Sequence, residues 1–270
     1  MIRIEPGPSD LIKRANDGAV AVLTLNSPKT RNALSLEMIE TLIDAFEGIA
    51  EDGKIRAVAL NGEGPALSAG HDLKELQAHR NDPDRGQAFY ELEMARCAEL
   101  MQNIVALEKP VIAAVEGVAT AAGCQLVASC DLAIAGENAR FALPGVNIGL
   151  FCSTPLVAVG RAIARKHAME MALTGEMLDA VRAERIGLVN RVVPAGQALS
   201  EAIALAQRIA TRSAATIAFG KPTFYRQIEA PLEEAYEIAG RAMVENLDHG
   251  DSAEGIAAFL EKREPHWGRK

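Results

Sequence analysis

The sequence predicts an α/β protein with a helical C-terminal portion, and three observations carry that reading. Up to residue 193, short apolar runs alternate with stretches whose apolar residues recur at three- and four-residue spacing, which implies strand–helix–strand units around a largely parallel sheet covered on both faces. Beyond it, nearly everything to Phe259 is helix-compatible, with Pro222, Pro231 and Gly250 as punctuation. Of the 270 residues 49% are hydrophobic and only 4% aromatic, so the apolar fraction is Ala, Val, Ile and Leu, suited to close packing of helices on backbone.

The elements follow in order. Leu11–Arg14 and Val20–Leu25 flank Asn16-Asp17-Gly18, a turn signal that predicts an opening hairpin. Ser35 is a natural N-cap for a helix whose Leu36, Ile39, Leu42, Ile43, Phe46 and Ile49 form one buried face. Ile55–Leu60 reads as a strand running into the loop Asn61–Pro65. After a polar insertion, Arg80–Gly86, a long helix is expected from about Ala88 to Leu107. Then come a strand at Pro110–Val115, a small-residue turn at Gly117–Ala122, a helix starting at Cys124–Ala128 and a strand at Asp131–Ala135. We divide the chain into an α/β core, residues 1–195, and a helical region, residues 196–270, that packs on the core or on a neighbouring subunit.

Composition excludes several functions. Lys and Arg number 28 against 36 Asp and Glu, a net charge of −8, which with few aromatics argues against nucleic-acid binding. No apolar run approaches the ~18 residues of a membrane span. The start, MIRIEPGPSDLIKR, lacks a secretory apolar core, and Glu5 and Asp10 argue against a transit peptide, so a cytoplasmic location is expected. Cys97, Cys124, Cys130 and Cys152 show no metal or redox spacing and read as buried thiols.

Two segments differ from ordinary connections. Gly64–Glu75 runs from loop into helix through Gly70, and Glu116–Gln125 runs from strand through the nearly side-chain-free Ala121-Ala122-Gly123 into another helix. Helix starts expose unpaired N–H groups, and two of them aimed at one oxygen would stabilise an enolate or tetrahedral intermediate. Close helix–strand packing explains the same Ala/Gly turns, so spacing alone leaves both readings open.

Ser68-Ala-Gly-His-Asp-Leu-Lys-Glu75, with Asn32-Ala-Leu34, Pro110-Val-Ile-Ala-Ala-Val-Glu-Gly117, Leu173-Thr-Gly175, Ala183–Val189 and Phe259-Leu-Glu-Lys262, resembles the enoyl-CoA hydratase/isomerase (crotonase) superfamily. The segments Ala121–Asp131, Pro144–Pro155, Thr223–Tyr225 and Ala242–Asn246 resemble its subgroup called enoyl-CoA hydratase domain-containing protein 3. The resemblance implies a spiral of ββα units, a C-terminal helical trimerisation region giving a trimer or dimer of trimers, and an acyl-CoA thioester as ligand, with no cofactor beyond that coenzyme A and no metal. It places the two oxyanion-hole amides on His71 and Ala122. The His71 imidazole could contact the ligand, although a lone loop histidine is more often a bystander. Coenzyme A contacts are implied for Ala33, Leu34, Ala69, Gly70, Asp72, Leu73, Lys74, Thr120, Ala121 and Pro144, with Phe259 and Lys262 reaching a ligand that is often a neighbouring subunit's. Arg31 is a phosphate partner on charge alone.

The departure from that pattern is chemical. Gln125 stands where the family's first catalytic glutamate sits, and in Phe141-Ala-Leu-Pro144-Gly145 a glycine stands for the second. An amide can orient water but transfers no proton near neutral pH, and glycine does neither. The expectation is an enolate-type or thioester reaction other than efficient hydration. Two alternatives remain: a catalytically silent acyl-CoA binder or assembly subunit, and a decarboxylase. The Ser-Ala-Gly-His-Asp string also resembles the family's methylmalonyl-CoA decarboxylases, which use a pocket tyrosine. Tyr90, Tyr225 and Tyr236 lie outside the matching segment.

Overall fold

The computed structural model describes residues 3–6 and 10–268. A seven-stranded sheet has the order β1 (Arg3–Pro6), β2 (Ile12–Asp17), β3 (Val20–Leu25), β4 (Ala57–Gly62), β6 (Val111–Val115), β8 (Leu132–Gly136) and β11 (Arg191–Val193). The first three strands are antiparallel, with Asp17 opposite Val20 across the expected turn, and from β3 onward the pairing is parallel. A second sheet has the order β10 (Leu178–Asp179), β9 (Arg140–Ala142), β7 (Val118–Thr120) and β5 (Ala66–Ser68). Each pass of the chain therefore gives one strand to each sheet, β4 with β5, β6 with β7, β8 with β9, which is the expected spiral.

Helices fill the turns of that spiral: α1 (Leu36–Glu51), α2 (Leu73–His79), α3 (Gln87–Ala106), α4 (Ala122–Ser129), α5 (Ser153–Ala162), α6 (Arg165–Thr174) and α7 (Ala180–Arg185). The C-terminal set is α8 (Ala198–Ala210), α9 (Ala214–Gln227), α10 (Leu232–Asp248) and α11 (Gly250–Glu261). Ser35 Oγ accepts the Met38 N–H at 3.2 Å, so the predicted cap of α1 forms. Two readings need correction. Gly117–Ala122 is not only a turn, because Val118–Thr120 pair as β7 between β5 and β9. Pro222 does not end a helix but lies inside α9.

Period-two alternation gives the large sheet two apolar faces. Ala21, Leu23, Leu25, Val58, Leu60, Ala113 and Val115 face the main core with α1, α3 and α4. Val20, Val22, Ala57, Ala59, Ile112, Ala114 and Ile134 face the other way, where α8 lays down Ala198, Ala202 and Ala206. Alanines four residues apart let that helix approach the sheet closely. Its N-terminus is held by Glu116, whose carboxylate accepts the Gly196 N–H at 2.9 Å and the Ala198 N–H at 2.6 Å.

α9 is tied down by Lys221. Its ammonium donates to the carbonyls of Ile104 at 2.9 Å and Lys109 at 3.1 Å and pairs with Asp131 at 2.8 Å. Asp131 also accepts the Val111 N–H at 2.7 Å and the Tyr225 hydroxyl at 2.9 Å. Burial pulls the Lys221 pKa down and Asp131 opposes it. Asp131 is thus a strand-end anchor.

Candidate active site

The two unusual segments meet. Gly70 has φ +93°, and a Cβ built on it would stand 2.9 Å from Ala121 Cβ and 3.2 Å from the Ala122 nitrogen, so the approach requires glycine. Thr120 Oγ1 donates to Ala69 O at 3.1 Å and the Ala121 N–H to Ala142 O at 3.0 Å, pinning the pair from both sides. Ala121 enters α4 at φ 50° and ψ −120°, a region L-residues rarely adopt and one that costs ~1–3 kcal/mol. Ala122 is the first residue of α4, so its N–H has no acceptor one turn back. The Leu34 N–H donates to Gly70 O at 2.8 Å in a parallel bridge with His71, which leaves the His71 N–H pointing away from Leu34.

Around this junction the residues expected to meet a ligand divide. Ala69, Gly70, Thr120, Ala121 and Leu34 form it. Asn32, buried and at φ 52°, locks the preceding turn by donating to Glu63 O at 3.0 Å and Ala66 O at 2.7 Å, which leaves Arg31 exposed and Ala33 half-buried beside Leu34. Asp72 caps α2, accepting the Lys74 N–H at 2.8 Å, while Leu73 and Lys74 face solvent. Pro144 opens a single 3₁₀ turn through Ile148. Phe259 and Lys262 do not join this group: α11 packs on α9 and α10, Phe259 is 82% exposed, and Lys262 ends the helix at φ 56°.

The two positions that lack carboxylates differ in kind. Gln125, one turn into α4, is 4% exposed, and its buried Oε1 has no partner. Gly145 has no room to vary: a Cβ there would stand 2.6 Å from the Leu150 carbonyl oxygen and 2.8 Å from Cys152 Sγ, which itself accepts the Gly145 N–H at 3.3 Å.

The His71 side chain is paired inside the fold. Its ring is 13% exposed, and Nδ1 lies 3.1 Å from Oε1 of Glu93, a fully buried residue of α3. A carboxylate only accepts, so Nδ1–H is the donor. Burial pulls the imidazole pKa down, but Cys97 first and Glu93 second, through hydrogen bonding and charge, outweigh it and push it up to about 10. Both His71 Nε2 and Glu93 Oε2 are buried without partners. Sequence reasoning missed Glu93 because α3 is studded with charges. The available signal was its place on the apolar stripe of Cys97, Leu100, Met101 and Ile104.

The cysteines are free and buried. Burial pushes the Cys124 thiol up to about 12 and raises Cys152 as well, which makes them poor nucleophiles. Among the described residues no three His, Cys, Asp or Glu side chains gather as a metal site, and no helix is long and apolar enough to cross a membrane. Two open clefts, of about 350 Å³ beside Lys221 and Tyr225 and about 250 Å³ between α9 and α10, lie away from the junction.

The sequence profile of the enoyl-CoA hydratase/isomerase family matches residues 15–270. The rat protein named enoyl-CoA hydratase domain-containing protein 3, mitochondrial, is 46% identical over 94% of this chain and 83% of its own length. The human protein of that name is 43% identical over 99% of this chain and 86% of its own. Among solved structures, an enoyl-CoA hydratase from Mycobacterium smegmatis superposes with a TM-score of 0.90 at 48% identity, covering 97% of this chain and 99% of that one. The human enoyl-CoA hydratase domain-containing protein 3 superposes with a TM-score of 0.90 at 42% identity, over 95% and 100%. The mitochondrial designation of the rat and human relatives overturns the cytoplasmic location expected from the sequence. Residues 1, 2 and 7–9, on which part of that expectation rested, lie outside the described residues.

Proposed function

The chain belongs to the enoyl-CoA hydratase/isomerase family, and from that premise we propose that it binds an acyl-CoA thioester and holds the thioester oxygen between the backbone N–H groups of His71 and Ala122. The observation that carries this reading is the junction itself. Two amides with no acceptor among the described residues stand on turns locked together through Gly70 and Ala121, one of them in a strained conformation. Donors fixed beforehand where charge develops stabilise an enolate without reorganisation, and each contributes ~2.7–4 kcal/mol. Ala33, Leu34, Asp72, Leu73, Lys74, Arg31 and Pro144 are the proposed path of the coenzyme A arm.

With Gln125 and Gly145 in place of carboxylates, the reaction is enolate chemistry other than efficient hydration. Each missing acid or base removes about 10²–10⁴ in rate. Incubation with crotonyl-CoA checks this: hydration should be at least 10²-fold slower than in a family member carrying both glutamates, and an equal rate sinks the claim. Restoring the pair has a steric limit, because any side chain at residue 145 meets the Leu150 carbonyl. Gln125→Glu alone is the usable variant and should raise hydration at least tenfold.

The silent-binder reading is supported by the same two substitutions, and it prevails if the protein binds butyryl-CoA yet turns over no acyl-CoA. The decarboxylase reading lacks support from the phenols: Tyr90 donates to Leu76 O at 3.0 Å, Tyr225 to Asp131, and Tyr236 is 74% exposed on α10. For assembly, we propose a homo-oligomer through the C-terminal helices, where Leu232, Val244, Phe259 and Leu260 are each at least 68% exposed. Light scattering should give a trimer or hexamer mass, and a monomer mass refutes it.

A further inference from the structure

The pair His71–Glu93 is more than folding requires. Fully burying a carboxylate against one imidazole, with Glu93 Oε2 and His71 Nε2 both unsatisfied, is costly where structure alone is served. What the single bond of 3.1 Å does is tie the His71 side chain to α3. Cys97, one turn further along that helix, acts on the same ring. The His71 N–H shares a rigid peptide plane with the Gly70 carbonyl, so its direction is that of the plane. Two corners of the plane are held by the main chain: Gly70 Cα lies against Ala121, and Gly70 O accepts the Leu34 N–H at 2.8 Å. The remaining corner is the His71 Cα, and the tie that reaches it from the core is the one to Glu93. The helix that supplies this tie is itself fixed, since Arg96 Nε donates to Glu40 of α1 at 2.6 Å. It also packs on α4, which opens with Ala122. One helix therefore bears on both amides of the junction.

We propose, resting on the acyl-CoA reading above, that Glu93 is a positioning residue: its hydrogen bond to the His71 ring fixes the peptide plane whose N–H polarises the thioester oxygen. The imidazole is a handle on the main chain in this arrangement, and its work is done inside the fold. A donor polarises a carbonyl only when it points at the oxygen from the right distance, and the interaction weakens steeply as the angle opens. A donor group must therefore be locked by the contacts behind it. Glu93 supplies that lock to the His71 amide, as the Ala142 carbonyl and the Thr120 hydroxyl supply it to the turn ahead of Ala122. The two unsatisfied atoms are what the fold tolerates for one directional bond at this point.

The test is isotope-edited infrared spectroscopy of the full chain saturated with butyryl-CoA labelled at the thioester carbonyl. The readout is the fall in the carbonyl stretch on binding, which reports polarisation of the oxygen and needs no turnover, so it serves even a catalytically silent binder. The parent should lower the stretch relative to the free thioester in water. Glu93→Ala removes the tie and should lose at least half of that shift. Glu93→Gln keeps an acceptor oxygen for the Nδ1–H and should restore most of it. The double variant His71→Leu with Glu93→Leu replaces the bond by apolar packing, which has no direction, and should also lose at least half. Because that variant gives up two unsatisfied atoms, its loss of shift has no origin in lowered stability. The proposal is overturned if Glu93→Ala or the double variant keeps the parent's shift, as a merely structural role requires. It is equally overturned if Glu93→Gln loses as much as Glu93→Ala, since charge and not position would then be at work. Should Glu93→Ala fail to fold, the double variant decides in its place. A parent that fails to bind butyryl-CoA, or binds it with the stretch unmoved, instead sinks the acyl-CoA reading and its pair of amides, and this proposal with them.

Discussion

Two buried ion pairs lie in this one chain and are built on opposite plans. At Lys221–Asp131 every proton and lone pair that matters is engaged: the ammonium has two carbonyls and a carboxylate, and the carboxylate has a backbone N–H and a phenol besides. At His71–Glu93 one bond is made, and an atom on each partner is left over. Buried charge is tolerated in the first case because the fold supplies all its partners. In the second, the fold leaves one atom on each partner unmet. The contrast separates a fully partnered pair from one with unmet hydrogen-bonding capacity.

The largest effect should come from breaking the anchor. Asp131→Ala leaves the Lys221 ammonium buried without its counter-ion and should cost ~3–5 kcal/mol in urea unfolding. A loss below 1 kcal/mol would erase the distinction. Next is replacement of whole pairs by apolar groups. His71→Leu with Glu93→Leu removes two orphaned atoms and should be neutral or stabilising by up to ~4 kcal/mol, whereas Lys221→Met with Asp131→Leu strands two carbonyls and an N–H and should destabilise. A thermal-melt series of the two double variants checks the opposite signs.

Smaller is the pH dependence. The imidazole pKa is raised in the folded state, so the pair's contribution is fully present below the ordinary histidine value of 6.5 and is lost as pH rises through about 10. The melting temperature of the parent, minus that of His71→Gln, should therefore decline across that window, and a flat difference contradicts the pairing. Smallest is Tyr225→Phe, which deletes one hydrogen bond to Asp131 and should cost about 1 kcal/mol by denaturant titration.

What could be read in the sequence was what repeats or punctuates. Ser35 ahead of a clean apolar stripe foretold α1, and Asn16-Asp17-Gly18 foretold the β2–β3 turn. The whole second sheet escaped strand-by-strand reading because β5, β7 and β9 have three residues each, too short for a period to show. Its existence came only from family resemblance. At the site, motif strings located Gly70, His71, Ala121 and Ala122. The partner of His71 comes from 22 residues away on another helix, and no local pattern joins them. Nor could the string Pro144-Gly145 reveal that residue 145 is held to glycine by the Leu150 carbonyl behind it.

The Ala121 N–H finds its acceptor in Ala142, on β9, the strand that the next turn of the spiral contributes. The Thr120 hydroxyl reaches back to Ala69, from the turn before. The junction is therefore finished only when three consecutive windings have stacked. A chain emerging from synthesis holds every residue of the junction well before it holds the junction, so a fragment ending before Ala142 lacks the acceptor that fixes Ala121 however well its helices form.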